Sequence, residues 1–442
     1  MLLENIEKKY DGFATKISDK IDCLKCTYIF MFLYKALLDF IYCEYIGNVH
    51  TFHYLYYSIP NIVNGWIIVL IMTFFFHKYY SQNTASSLMC IILNIFYFIP
   101  ITTYCGFGGG SSSFLFYAIV YWMIITLLQI RIPIIVYERK ENEKDNAKIM
   151  NILFYCIIIC ISIFNIYIWA KYTHFRILTS VIDVYDIREE ASNYSLSTIA
   201  KYAIQTSRIV IPMMILLSLK KRKYISLLWL LFMTIVSFSY DGSKTVIFFP
   251  IILIGGYVLY RKKLINCILP GVILVQVISI IEQLKGTGII ISLIFRRQAV
   301  LIAQLSENYY RFFLEHNTDI FRNSVMGKFG FDSIYSQNIS KVIGNNFETQ
   351  VVNCNNGLLA DVWANLGVIG IVIMPIILIT CFRIFDIVAY GVDVRLIVSL
   401  AAYYTVIFMN STWSTVLLTH GFLVMCIVLA IFPREKCSKN IL

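Results

Sequence analysis

The sequence predicts an all-α polytopic membrane protein with about twelve transmembrane helices. Three observations predict it. The 442 residues are 59% hydrophobic and 14% charged, with a mean hydropathy of +0.72; soluble domains run near 45–50% apolar and about 25% charged. The apolar residues fall in long unbroken runs, where a membrane barrel would need short alternating strands. Lysines and arginines gather at the ends of those runs, which is the positive-inside pattern. The net charge of +11 is thereby a charge of membrane topology, and no nucleic-acid partner is expected.

Runs of roughly 20 apolar residues, the length that crosses a bilayer, occur at about 27–46, 59–77, 86–105, 114–136, 149–170, 199–219, 225–240, 244–260, 264–281, 358–382, 394–412 and 416–432. Residues 1–25 are polar and the first run is long, so no cleavable signal peptide is expected. Residues 1–442 read as a single integral membrane domain with both termini cytoplasmic. Every connection assigned to the cytoplasm then carries a base: Lys8 to Lys25, Lys78, Arg139 to Lys148, "KKRK" at 220–223, "RKK" at 261–263, Arg395 and Arg434. The outer loops 47–58 and 106–113 carry none. Most of the 12 cysteines lie within apolar runs, where Cys acts as a small hydrophobe. Cys23 and Cys26 have no second pair at zinc spacing, so no metal is expected there.

Two outer loops break the charge rule. Loop 171–198 holds Lys171, Arg176 and Arg188 among acids. Loop 282–357 is the longest polar stretch and holds Lys285, Arg296, Arg297, Arg311, Arg322, Lys328 and Lys341. Loops this long are usually functional. Bases kept on the unfavoured side suggest an anionic ligand. "GFGGGSSS" at 106–113 reads as a flexible tight connection; it lacks the G-K-[ST] ending of a phosphate loop.

Four motifs could carry chemistry. On a helix, Arg297, Gln304, Asn308 and Arg311 share one side and Ile302, Tyr309 and Phe313 the other. Residues 294–313 therefore read as an amphipathic helix at the outer interface. Its guanidinium groups suit phosphate; the plainer reading is snorkelling to ordinary lipid heads. "YDGSKT" (240–245) puts Asp241 and Lys244 at a tight outer turn, as a functional or a plain surface pair. "VYDIREE" (184–190) concentrates charge and could be a solvated helix face. "NCNNGLLADVWANLG" (353–367) gathers asparagines, Asn356 among them, before Gly357. It then places Asp361 and Asn365 four residues apart on one helix face, at the entry to a span where an acid is a functional hypothesis by default.

In these motifs and their order the chain resembles the O-antigen polymerases, the Wzy-type oligosaccharide repeat-unit polymerases. The resemblance rests on "YDGSKT", on "FRR" followed by "YYRFF" in the large loop, on "NNGLLADVWANLG", on "VYDIREE", and on a similar layout of about twelve spans. It implies a C-type membrane glycosyltransferase of the bacterial inner membrane, active at the periplasmic face. Such an enzyme moves a growing chain from undecaprenyl diphosphate onto a new lipid-linked repeat unit, without a metal or other cofactor. A chain-length regulator is an implied partner. For this chemistry Arg296 and Arg297 would stabilise the departing diphosphate, with Arg188, Lys244 or Arg311 assisting. Asp241, Glu189 or Asp361 would take the acceptor proton, and Asn356 would bind substrate. Tyr309, Tyr310 and Trp363 would stack on sugar or anchor the interface.

Two other readings compete. A lipid-linked oligosaccharide flippase would suit twelve spans, but should carry charge near mid-bilayer in matched halves; only Lys35 and Asp39 draw attention there, as a pair or as part of a path. An O-antigen ligase shares the donor and uses a large-loop histidine. His316 stands in this large loop without a surrounding ligase pattern, and the histidines read as structural.

Overall fold

The computed structural model describes residues 21–49, 55–82, 84–133, 143–177, 187, 190–191, 193–259, 264–347 and 354–431. Arg188 and Glu189 lie outside them, as does the side chain of Lys244. The described residues form helices and no strand; an isolated bridge joins Tyr56 to Gly108.

The helices in chain order are α1 (Leu24–Ile46), α2 (Ile59–Gln82), α3 (Ala85–Phe107), α4 (Ser112–Arg131), α5 (Glu143–Thr173), α6 (Thr198–Lys220), α7 (Tyr224–Asp241), α8 (Lys244–Leu259) and α9 (Ile268–Leu284). A π-wound segment, Ile291–Val300, leads into α10 (Leu301–Glu315). Then come α11 (Ile339–Phe347), α12 (Leu359–Asn365), α13 (Gly367–Ala389), α14 (Val394–Asn410), a π-helical turn at Thr415–Thr419, and α15 (Phe422–Ile431). Among the described residues nine helices are long and apolar enough to cross a membrane. This is a multi-pass membrane protein.

Two of the expected runs are shorter or broken. The one at 394–412 is the 17-residue α14. The one at 416–432 splits at Gly421, where the backbone turns left-handed (φ 63°). The run at 358–382 also divides. Asp361 sits on the short α12, and the apolar span begins only at Gly367.

Helix α3 is the axis of the bundle, with 94% of its most apolar window buried. Small polar residues let neighbours approach it closely: Ser86, Ser87, Thr102 and Thr103 are all buried. Its start is a reciprocal capping box. Thr84 Oγ1 accepts from the Ser87 N–H, and Ser87 Oγ accepts from the Thr84 N–H.

Cross-chain hydrogen bonds sort the connections into two ends. At one end Arg383 donates to Ser86 Oγ and Asp386 (both 3.0 Å) and to the carbonyl of Ile132 (2.9 Å), while Lys220 pairs with Asp393 at 3.4 Å. At the other end Tyr56 N–H donates to the Phe107 carbonyl (2.9 Å), Arg311 to the Gly109 carbonyl (2.9 Å), and Gly357 N–H to the Met409 carbonyl (3.0 Å). The long loop after α9 belongs to this loop-rich end.

Candidate functional site

At the loop-rich end, α10 supplies one wall of a polar cavity. The amphipathic stripe is as read: Arg297 and Arg311 are exposed, Gln304 and Asn308 half-buried, and Ile302, Tyr309 and Phe313 buried. Its placement is corrected. Residues before 301 are π-wound, so the angular spacing of an α-helix does not run through them. The apolar face also packs against α12 and α3, so its tyrosines are buried within the protein. Tyr310 meets Trp363 with ring centroids 4.8 Å apart, and both are buried. They form an internal aromatic cluster with Tyr117.

A buried hydrogen-bond chain fixes α10 and α12 to the central helix. The Leu359 N–H donates to Tyr97 Oη (3.0 Å), which bonds Ser306 Oγ at 3.1 Å. Asn356 Nδ2 donates to Ser306 Oγ and to the Ile302 carbonyl, both at 3.0 Å, while its Oδ1 accepts from the Gly357 N–H (2.9 Å). Asn356 thus spends both amide protons on the scaffold and positions the site. At Gly357 the chain crosses α14 so closely that a Cβ would lie 2.1 Å from the Phe408 carbonyl oxygen and 2.5 Å from that of Ser411.

The cavity enclosed in this way has a volume of about 290 Å³. Asp361 and Asn356 lie buried in its lining, and Asn338 and Asn355 are exposed at its rim. Asn365, Ser411, Thr415 and His420 complete a lining rich in amides and hydroxyls. Asp361 Oδ2 accepts from the Trp413 N–H and Oδ1 from Asn365 Nδ2, each at 2.7 Å. The i, i+4 pairing read from the sequence is therefore present. Burial raises the Asp361 carboxyl to about 6, against the pull of those two bonds. Nearby, His420 Nε2 lies 3.2 Å from Ser411 Oγ, and burial lowers its pKa. Tyr309 lines the cavity but donates its hydroxyl to the Cys354 carbonyl (3.0 Å).

Arg296 and Arg297 are not in that lining. Arg296 donates to Ser292 Oγ at 2.9 Å, and Arg297 is exposed. Their neighbour Gln298 accepts from Asn410 Nδ2 at 3.2 Å, and Asn410 precedes Ser411 of the lining. Arg311 is committed elsewhere. It pairs with the fully buried Glu307 at 2.8 Å, whose Oε1 also accepts the Ser111 N–H (2.7 Å). This corrects the reading of "GFGGGSSS" as a flexible connection. A Cβ at Gly110 would lie 2.7 Å from Glu307 Oε2 and 2.8 Å from the Cys105 Cα, so the turn is glycine-rich because it is tightly packed.

A second cavity, of about 460 Å³, lies between α6 and α7. Here stands Asp241; the side chain of Lys244, read beside it in the sequence, lies outside the described residues. Asp241 takes a two-pronged bond from Arg208, at 2.8 and 2.9 Å, with Tyr240, Tyr194 and Lys201 around it. Thr419 lines this cavity while Thr415 and His420 line the first; the 415–420 segment is a wall between the two. Arg208 and His420 were missed as site residues. Arg208 is a charge within an apolar run, a signal the sequence does carry. Outside both cavities, His316 stacks on Phe312 at 3.9 Å and bonds the Phe312 carbonyl through Nδ1 (2.8 Å), a structural role. Glu190, from the charged "VYDIREE" stretch, pairs with Arg176 at 2.7 Å.

Comparison with protein-family models, curated proteins and solved structures finds no match for this chain.

Proposed function

We propose that this protein is a membrane glycosyltransferase that polymerises oligosaccharide repeat units carried on undecaprenyl diphosphate, with its loop-rich end at the periplasmic face of a bacterial inner membrane. One observation carries the reading: a buried carboxylate stands in a cavity lined by amides and hydroxyls, outside the apolar spans. Amides and hydroxyls match the donors and acceptors of a sugar. In the proposed reaction the acceptor hydroxyl oxygen bonds to the anomeric carbon of the growing chain. The bond from that carbon to the diphosphate breaks, and the diphosphate leaves with the electron pair. The hydroxyl proton passes to Asp361, each of whose oxygens keeps a lone pair beyond its single hydrogen bond. Arg297 and Arg296 meet the developing diphosphate charge.

The flippase alternative draws least support. Lys35 donates to Asp39 and, at 2.9 Å, to Thr103, which itself bonds Asp39 at 2.8 Å. That closed arrangement favours a structural pair over a path.

The test is deletion of the gene in its host, with complementation, read on a polysaccharide gel. Loss of long chains with a single repeat retained supports the polymerase. No repeat at all points to a flippase or ligase, and polymer held on the lipid carrier points to a ligase. Arg297→Ala and Arg297→Lys are both expected to shorten the ladder, because a point charge does not replace a guanidinium fork. A normal ladder at equal expression removes Arg297 from the mechanism.

A further inference from the structure

The loop that roofs the Asp361 cavity has a rigid base and a greasy tip. At the base, Asp319 is fully buried. Its N–H donates to the Ala364 carbonyl (2.8 Å), and its carboxylate accepts from Ser333 Oγ (2.6 Å) and from the Asn323 N–H. The Phe321 N–H donates to Asn365 Oδ1 (2.7 Å), and Tyr335 Oη donates to the Asn317 carbonyl (2.5 Å). Residues 320–334 are therefore a compact excursion whose two ends are fastened together and to α12, the form of an Ω-loop.

Its interior is held by its own backbone. The Met326 N–H donates to the Phe321 carbonyl (3.0 Å), and the Phe331 N–H to the Met326 carbonyl (3.3 Å). A 3-10 turn at Met326–Phe329 ends at Gly330, whose backbone is left-handed (φ 88°). This turn carries Phe329, 73% exposed, and Phe331, 53% exposed, with Ile320 and Ile334 also exposed. Asn323 and Ser324 of the same excursion line the Asp361 cavity. A solvated loop has no reason to expose two phenylalanines on a fixed turn.

We propose that the 326–331 turn inserts Phe329 and Phe331 into the bilayer leaflet at the loop-rich end, and that this contact holds the 320–334 loop over the Asp361 cavity. Three observations select lipid as the occupant. The protein crosses the bilayer, so a leaflet borders this end. Leu284, Ile289, Leu293 and Leu314, in the segments of chain that lead to this loop, are exposed as well. The half-buried Arg322 belongs to the same excursion, and a base in one loop with exposed aromatics fits anionic headgroups over acyl chains. The claim about the cavity rests on the function proposed above; the lipid contact does not.

The experiment replaces Phe329, Phe331 or the exposed Ser336 one at a time with the photo-crosslinking residue p-benzoylphenylalanine. The full chain is reconstituted in vesicles of phosphatidylethanolamine and phosphatidylglycerol, irradiated, and analysed by mass spectrometry. Acyl-chain adducts at 329 and 331 with none at 336 are the expected result. Adducts to protein, whether a second copy or another chain, overturn the proposal in favour of a protein-docking surface. The absence of adducts at both phenylalanines overturns it in favour of a solvated loop. The readout needs no enzymatic activity, so its failure is distinct from failure of the polymerase reading.

Discussion

Asp361 and Trp413 stand 52 residues apart and are joined by a 2.7 Å hydrogen bond from the Trp413 N–H to the Asp361 carboxylate. The bond ties α12 to the segment between α14 and α15, and with Asn365 it orients the carboxylate in the cavity. The same group has two opposing dependences on pH, one for chemistry and one for folding.

Burial holds the Asp361 carboxyl at about 6, above its ordinary 3.8. In the proposed reaction Asp361 takes the acceptor proton and must be ionised, so on that reading activity should rise with pH through about 6 and then level off. Stability should move the other way. Between pH 3.8 and about 6 the unfolded chain has lost this proton and the folded chain retains it. Stability from this group is therefore full below 3.8 and falls as pH rises toward 6. Two pH units correspond to roughly 3 kcal/mol. Asp361→Asn should flatten that fall and abolish polymer formation, while one hydrogen bond of the pair is lost at about 1 kcal/mol. Thermal melting across pH, beside product assays on the same preparations, checks both. A melting profile equally steep in the variant would remove Asp361 as its cause.

Gly357 should tolerate no side chain. A Cβ there would press on two backbone carbonyls, which cannot swing aside as a flexible side chain can. Gly357→Ala is expected to cost about 3 kcal/mol or more and to pull Asn356 off Ser306. Gly271 has open space at the Cβ position, so Gly271→Ala is the matched control and should melt like the parent. Equal melting temperatures for the two variants would contradict the close crossing of α14.

Some of this site was legible in the sequence and some was not. Asp361 and Asn365 share a helix face by spacing alone, and the structure pairs them. The buried and exposed sides of α10 followed from period as well. The π-wound turn before it did not, because no residue pattern marks that winding. Nor did the bond from Trp413, the approach of His420, or the roof formed by residues 320–334. Each of these depends on contacts between distant parts of the chain. "GFGGGSSS" was misread for a related reason. Glycine serves both a loose linker and a close approach, and only Glu307 and Cys105 at Gly110 tell them apart. Arg208 is different: as a charge within an apolar run it was visible, and its partner Asp241 had already been singled out.

Lys35 and Asp39 decide between a scaffold and a path. Both are buried, and they bond each other and Thr103. Breaking such a pair from one side leaves an uncompensated buried charge, so Lys35→Met alone or Asp39→Leu alone should cost about 3–5 kcal/mol. Replacing both with apolar residues of similar volume is expected to be near neutral, since the desolvation of two ions is relieved together. Function divides the two readings more sharply than stability does. A transporter that moves charge or a charged lipid past this point needs the ions themselves, and the double variant would be inactive although folded. If the pair only holds α1 against α3, the double variant should restore the parental polysaccharide ladder in a deletion strain while each single variant fails through poor folding. Measuring melting temperature and ladder length on the same three variants separates these outcomes, because a folded but inactive double variant is compatible only with a path.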